Sequence, residues 1–292
     1  MPSLKDVRSK IAGVRKTKQI TKAMNMVASA KLRGAQARIE RFRAYADKFY
    51  TVLSDLADKA EGTAHPLLEV HPEARTTLIV LATSDRGLCG GFNAGLVARG
   101  LAIARQAQAE SRAVKFLCVG KKGREAIRKN GYELLSSYVD VLGDFDFTLA
   151  SAIGKEVISE YTSGRVDKVV LLYGRFESVA RQVPTVLPLL PVQSHQDGHG
   201  ETVDKGTAEY TYEPDVGTLL GVLLPRFVNV QIYRSLLDTS ASENAARMAA
   251  MDNATRNCDE MTGALTLLYN KTRQASITSE LIDIVGGAEA LQ

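Results

Sequence analysis

The sequence predicts an α/β protein in which long N- and C-terminal helices accompany a central doubly wound, Rossmann-like domain. Three observations support this prediction: a proline-free stretch near the C terminus, a heptad repeat at the N terminus, and alternating strand and helix patterns between them. The predicted segments are 1–60 for the N-terminal helix, 74–213 for the central domain and 214–292 for the C-terminal helix.

The C-terminal stretch 226–285 predicts one long helix. It follows Pro225, contains no further proline, and has Gly263 as its only interior glycine, so no residue forces a helix to end. Such a helix would extend roughly 90 Å, far more than a compact domain needs, and so predicts a partner along its length. Small or apolar residues form a narrow seam along it: Met248, Met251, Ala254, Cys258, Met261, Leu265, Leu268, Thr272 and Ala275.

The N-terminal segment is the predicted partner of this helix. Two apolar runs share one heptad phase, so they belong to a single seam. The first run is Leu4, Val7, Ile11 and Val14, and the second is Leu32, Ala35, Ile39, Phe42, Ala46, Phe49, Leu53 and Leu56.

Between the two runs, the same phase places mostly polar residues on the seam. Three apolar residues, Ile20, Met24 and Val27, lie one position away from it. Two interpretations remain open, namely a local unwinding of the seam and a surface that faces other subunits. The seam positions in this stretch are Lys18, Thr21, Asn25 and Ala28.

Charge is distributed unevenly along the chain. The first fifty residues contain 13 Lys or Arg against three acids, whereas the whole chain carries a net charge of only +4. A basic segment of this kind indicates docking on an acidic partner, which is nucleic acid, anionic lipid or protein. A basic, acid-poor start also imitates a mitochondrial transit peptide, but the apolar pattern continues well past a cleavable length.

The middle of the chain alternates strand and helix patterns, which predicts a mostly parallel sheet covered by helices. Pro184, Pro188 and Pro191 allow at most an edge strand there. A glycine- and histidine-bearing loop is predicted at 193–206. The predicted strands are 78–81, 113–119 and 166–173, and the predicted helices are 94–109, 123–129 and 145–161.

Neither a nucleotide site nor a metal site is favoured by the motifs. The turn from Ser84 to Asn93 is rich in glycine, but it matches no phosphate-binding spacing, and Asn93 with the glycines suffices to cap and turn the chain. We interpret Asp85 and Arg86 as candidates for a salt link. His195 and His199 lack a third ligand nearby.

Three cysteines without a CxxC pair indicate free thiols in a reducing compartment rather than a disulfide framework. No histidine neighbours Cys89 or Cys118 in sequence, and a buried cysteine is usually inert. We therefore expect no catalytic residues, no cofactor and no metal.

Three stretches resemble a known family. They are residues 20–32, residues 84–93, and Ile277-Thr278-Ser279-Glu280 followed six residues later by Gly286-Gly287-Ala288. In this order, and across essentially the whole chain, they resemble the gamma subunit of the F-type ATP synthase. The resemblance implies a non-catalytic rotor shaft whose terminal helices form an antiparallel coiled coil, with the α/β domain at its foot.

The resemblance also implies partners and a location. The partners are the alpha, beta, epsilon and delta subunits and the ring of c subunits, without nucleic acid and with the membrane reached only through partners. Because the start lacks a presequence, we expect a peripheral position on the cytoplasmic face of a bacterial inner membrane.

Subunit coupling contacts are predicted at seven positions. Met24 matches the segment that faces the beta subunits, although packing in the helix seam is an alternative for it. Lys31 comes from the basic stretch and Arg86 from the glycine-rich turn. The seven residues are Met24, Lys31, Arg86, Arg247, Gln274, Thr278 and Glu280.

Two rival functions remain open. A stand-alone α/β protein would bind nucleotide at the glycine-rich turn, and a coiled-coil protein would bind nucleic acid through its basic N-terminal segment. The first lacks evident phosphate ligands, and the second lacks aromatic residues interleaved with the basic ones, since the first aromatic residue is Phe42.

Overall fold

The computed structural model describes residues 3–59, 65–71, 75–192 and 216–289. Its secondary structure alternates strands and helices between two much longer terminal helices. The elements are α1 Leu4–Lys59, β1 Thr76–Ala82, α2 Phe92–Ala109, β2 Ala113–Val119, α3 Lys121–Lys129, β3 Glu133–Tyr138, α4 Phe147–Thr162, β4 Lys168–Phe176, β5 Gln182–Leu190 and α5 Val216–Glu289.

The chain divides into two compact units. The helix-pair unit comprises residues 1–28 and 247–292, and the α/β unit comprises residues 29–246. Both long helices contribute to both units, because α1 and α5 continue through the boundaries at 28 and 247.

The α/β unit is organised around a five-stranded sheet in the order β3-β2-β1-β4-β5. The first four strands in this order are parallel, and β5 is an antiparallel edge strand beside β4. The prolines of β5 therefore occupy the edge position that the sequence allowed. The predicted doubly wound domain is confirmed.

Both faces of the sheet are buried. Along β1, Ile79 and Leu81 point toward a core that includes Leu96 of α2 and Ile127 of α3. Val80 points toward the opposite core, which contains residues of α4 and of the first turns of α5. Successive strand residues alternate between faces, so a run such as Leu-Ile-Val-Leu serves two cores at once.

One predicted boundary, the start of the uninterrupted helix at residue 226, was wrong, and one strand was missed. Helix α5 begins at Val216, so Pro225 lies inside it instead of before it. The proline removes one backbone hydrogen bond, but Leu220, Leu224 and Val228 are buried around it, and this packing outweighs the local preference. Strand β3 was missed because, at the edge of the sheet, none of its residues is fully buried.

The predicted loop at 193–206 lies outside the described residues. In the described part of the chain, no helix is both long enough and apolar enough to cross a bilayer.

Candidate subunit-contact surface

Polar pairs hold the seam of the helix-pair unit together. Lys18 forms an ion pair with Asp259. The Thr21 and Thr255 hydroxyls lie 2.8 Å apart, and the Asn25 amide donates to the backbone carbonyl of Met248 at 2.8 Å. The partner's residue number falls as that of α1 rises, so the helices are antiparallel as predicted.

The helix does not unwind in this stretch. α1 is continuous from Leu4 to Lys59, and Thr21 and Ala28 are only 8% and 1% exposed. The polar residues of the heptad phase therefore occupy the seam and find partners across it. The interpretation of a locally disrupted seam is wrong.

The apolar residues beside this seam consequently point away from α5. Ile20 is 53% exposed and Val27 is 58% exposed, while Met24 is half-buried. These three residues recur at helical spacing on one side of α1, and we call them the outer apolar face. Monomeric soluble proteins rarely expose a continuous apolar stripe. The outer apolar face therefore indicates a contact with another chain.

From Cys258 onward, the seam of α5 differs from its prediction at alternate positions. Met251, Cys258, Leu265 and Thr272 are buried or half-buried as expected, but Met261, Leu268 and Ala275 are exposed. The next residues, Thr262, Tyr269 and Ser276, are half-buried in their place. Along a helix seam, the next buried position lies either three or four residues further on, and these two positions are on opposite sides of the seam. Because small and apolar residues occur at both, the sequence does not show which of them is buried.

The C-terminal end of α5 is exposed over its whole circumference. All residues from 277 to 288 are exposed, including Ile277, Leu281, Ile282, Ile284 and Val285. We call this segment the apolar tip. Its only charged residues are Glu280 and Asp283, so the surface offers van der Waals contact to a partner with few strong electrostatic anchors.

The predicted contact residues fall into three groups. Met24 and Arg247 precede Asn25 and Met248, whose hydrogen bond places them at one level of the helix-pair unit. Gln274, Thr278 and Glu280 are exposed near or within the apolar tip, where the Thr278 hydroxyl donates to the Gln274 carbonyl at 2.9 Å. Lys31 and Arg86 are exposed residues of the α/β unit, so the seven are divided between the two units.

The glycine-rich turn is held by its own side chains. The Asn93 amide donates to the Ser84 hydroxyl at 2.7 Å and to the Cys89 sulfur at 3.1 Å, and its oxygen accepts from the Ser84 amide at 3.0 Å. Asn93 therefore stabilises the turn and does not cap α2. The N-cap residue of α2 is Gly91, so no side chain caps this helix.

The Asp85 carboxylate binds three backbone amides. Its carboxylate accepts from the amides of Lys121 at 2.9 Å, Asp140 at 2.8 Å and Leu142 at 3.3 Å. These bonds fix the start of α3 and the segment after β3 to the turn. The amides of Ser84, Lys121, Asp140 and Leu142 are thus used within the protein, and an acidic side chain lies at the turn, which disfavours the nucleotide interpretation.

The described residues give little support to a catalytic or metal-binding function. Cys89 and Cys118 are buried, and burial raises the pKa of the Cys118 thiol to about 12, so it stays protonated and unreactive. No group of three His, Cys, Asp or Glu residues in the described ranges could hold a metal ion. His195 and His199 lie outside those ranges.

Comparison with known proteins identifies relatives along the whole chain. The family model for ATP synthase matches residues 3–291. The ATP synthase gamma chain of Nitratidesulfovibrio vulgaris (strain Hildenborough) is 65% identical over 292 residues, covering 100% of both chains. That of Syntrophus aciditrophicus (strain SB) is 50% identical and covers 100% of this chain and 99% of the relative.

Solved structures share the fold. A central stalk and c-ring structure of the Tetrahymena thermophila mitochondrial ATP synthase has a TM-score of 0.60 and 30% identity, covering 80% of this chain and 99% of that chain. A chain of the Euglena gracilis mitochondrial ATP synthase has a TM-score of 0.69 and 22% identity, covering 99% of this chain and 94% of that one.

Proposed function

Because this chain belongs to the ATP synthase gamma chain family, we propose that it is the central rotor shaft that couples proton flow to ATP synthesis or hydrolysis. It is a non-catalytic subunit, and catalysis lies in the beta subunits. The observation that carries this function is the antiparallel helix pair whose apolar tip and outer apolar face remain exposed.

The exposed surfaces suit a shaft inside a sleeve of alpha and beta subunits. An apolar tip with few charges can turn within a sleeve without being held by strong ion pairs. An asymmetric shaft presents a different face to each beta subunit, so it biases each conformational equilibrium in turn through differential contacts.

The chain's organisation follows this role. Segments 1–60 and 214–292 supply the helices of the shaft, and segment 74–213 supplies its foot. The foot meets the epsilon subunit and the c ring, and the delta subunit completes the soluble sector. The chain is peripheral in its complex, and we assign that complex to the cytoplasmic face of a bacterial inner membrane.

We assign coupling contacts to Met24, Lys31, Arg86, Arg247, Gln274, Thr278 and Glu280. Supporting this assignment, six of the seven are exposed or half-buried on α1 or α5, and Arg86 is exposed in the turn after β1. Met24 in particular belongs to the outer apolar face.

Assembly with alpha and beta subunits tests the function directly. We expect co-elution of one chain per three alpha–beta pairs, with ATP hydrolysis that depends on its presence. A chain that elutes alone, while the same alpha and beta subunits assemble with another gamma chain, would contradict the proposal.

The variant Met24→Lys tests the outer apolar face. A cation placed beside the beta surface is expected to lower proton-driven ATP synthesis while hydrolysis persists. Met26→Lys is the matched control, because Met26 is 59% exposed and lies about 200° around the same helix. Equal loss of coupling in both variants would show that the face has no specific role.

A further inference from the structure

A charged cavity lies within the α/β unit. It has a volume of about 170 Å³ and is lined by residues from α1, β4, α5 and the residue that follows β4. Three of its lining residues are arginines, one from each of the three elements: Arg43 from α1, Arg175 from β4 and Arg234 from α5. Three positively charged residues from separate elements thus line one small space.

The positive charge of this cavity is only partly balanced. Glu177 accepts from Arg175 at 2.5 Å, but it also pairs with Arg181 at 2.9 Å, so its charge is shared. The Nε atom of Arg175 is buried and has no hydrogen-bond partner among the described residues. A buried donor of this kind is costly unless an acceptor oxygen reaches it.

The remaining acid in the cavity is Asp238, which is 7% exposed. Burial raises the pKa of its carboxyl to about 7, although Arg234, Arg175 and Arg43 all act to lower it. Near neutral pH the carboxyl is therefore protonated in a large fraction of molecules. As a neutral acid it leaves the arginine charge uncompensated and can donate a hydrogen bond.

We propose that this cavity binds a tetrahedral oxyanion of the size of inorganic phosphate, held by Arg43, Arg175 and Arg234. Planar guanidinium groups bind phosphate oxygens in paired hydrogen bonds. Three arginines also supply more hydrogen-bond donors than three lysines would. The volume suits a single phosphate group. Such a ligand would join α1, β4 and α5 of the α/β unit through one shared anion.

Calorimetric titration of the full chain with inorganic phosphate tests the proposal. We expect saturable binding that weakens about tenfold or more in Arg43→Gln or Arg234→Gln, because each substitution removes charge-assisted hydrogen bonds. Arg41→Gln is the matched control, since Arg41 is exposed on the same helix and does not line the cavity. Unchanged circular dichroism would show that each variant is folded.

A second titration separates binding from general charge attraction. Sulfate keeps its charge between pH 6 and 8, so any change in its affinity reflects the protein. We expect sulfate to bind about tenfold more tightly at pH 6 than at pH 8, because only the form with neutral Asp238 is competent. Tyr173 of β4 also faces this carboxyl. Burial raises the pKa of the Tyr173 hydroxyl above its ordinary value, so Tyr173 stays neutral between pH 6 and pH 8.

The variant Asp238→Asn is expected to bind sulfate at pH 8 as the unmodified chain does at pH 6. ADP provides a further comparison, since tighter binding of ADP than of phosphate would identify a nucleotide as the source of the oxyanion. Absence of binding at millimolar phosphate, or equal affinity in the Arg43→Gln, Arg234→Gln and Arg41→Gln variants, would overturn the proposal.

Discussion

The two units of this chain bury their apolar residues to very different degrees. In the α/β unit, β1 and β4 are almost wholly buried between two cores. In the helix-pair unit, the seam contains polar pairs, and the apolar tip and outer apolar face are exposed. The interactions that determine the fold of the α/β unit therefore lie within that unit. The helix-pair unit instead keeps a large part of its apolar surface exposed, where partner chains can contact it.

The largest expected difference between the two units is in how a glycine-to-alanine substitution changes stability. Gly120 precedes α3 with φ of 100°, and an added Cβ would fall against the backbone carbonyl of Thr83. Gly120→Ala should destabilise the chain by about 4 kcal/mol, since both backbone strain and a backbone clash oppose it. Gly263, in the helix-pair unit, has no atom within 4 Å of such a Cβ. Gly263→Ala should stabilise its helix by about 0.5–1 kcal/mol.

Urea denaturation of the full chain, with hydrogen exchange measured peptide by peptide, checks this pair of variants. Loss of protection in β1 and β2 is expected for Gly120→Ala. A similar effect of both variants would show that the two units are equally constrained.

The next expected effect depends on pH. The folded pKa of Asp238 is about 7, above its ordinary value, so its neutral form stabilises the fold at low pH. This stability is fully present below about pH 4 and is lost as pH rises through 7. Above pH 7, Asp238→Asn should therefore be more stable than the unmodified chain by about 4 kcal/mol, and the difference should vanish near pH 4.

Denaturation at several pH values, in buffers without phosphate or sulfate, measures this difference. Asp259→Asn is the control in the helix-pair unit, where an exposed ion pair with Lys18 contributes about 0.5 kcal/mol. A pH-independent gain for Asp238→Asn would contradict the assigned cause.

A smaller effect is expected at the polar seam. Asn25→Ala removes the 2.8 Å hydrogen bond to the Met248 carbonyl and should cost about 1 kcal/mol. Exchange of the amides near residues 21–28 and 248–255 should quicken, while the sheet stays protected. No change in exchange would show that the bond contributes nothing to pairing. Polar seam residues of this kind fix the register of a helix pair more than its stability.

The sequence predicted the elements with strong periodicity and missed those whose geometry depends on tertiary contacts. The heptad phase from Leu4 to Phe49 matches the buried side of α1, because each position follows directly from helical spacing. The continuity of α5 through Pro225 could not be predicted, since it depends on the burial of Leu220 and Leu224 in the folded protein.

The polar pairing also lay beyond sequence reasoning. Thr21 and Asn25 lie on the seam by phase, but only the structure places Thr255 and the Met248 carbonyl opposite them. The arginine cavity is a still clearer case, because Arg43, Arg175 and Arg234 are far apart in sequence and meet through the fold. The contact residues inferred from family resemblance stay predictions until they are tested in the assembled complex.

The smallest expected effect on stability lies at the exposed apolar residues. Ile20→Ser and Ile282→Ser should change the unfolding free energy of the isolated chain by less than about 0.5 kcal/mol, since these side chains are 53% and 64% exposed. Ile79→Ala, at a fully buried site of β1, should cost about 2–5 kcal/mol. In the complex with alpha and beta subunits, the serine variants should weaken assembly or coupling although the isolated chain is unaffected. If they weaken neither, the exposed apolar surface of the helix-pair unit does not serve partner contact, and the contrast between the two units would need another cause.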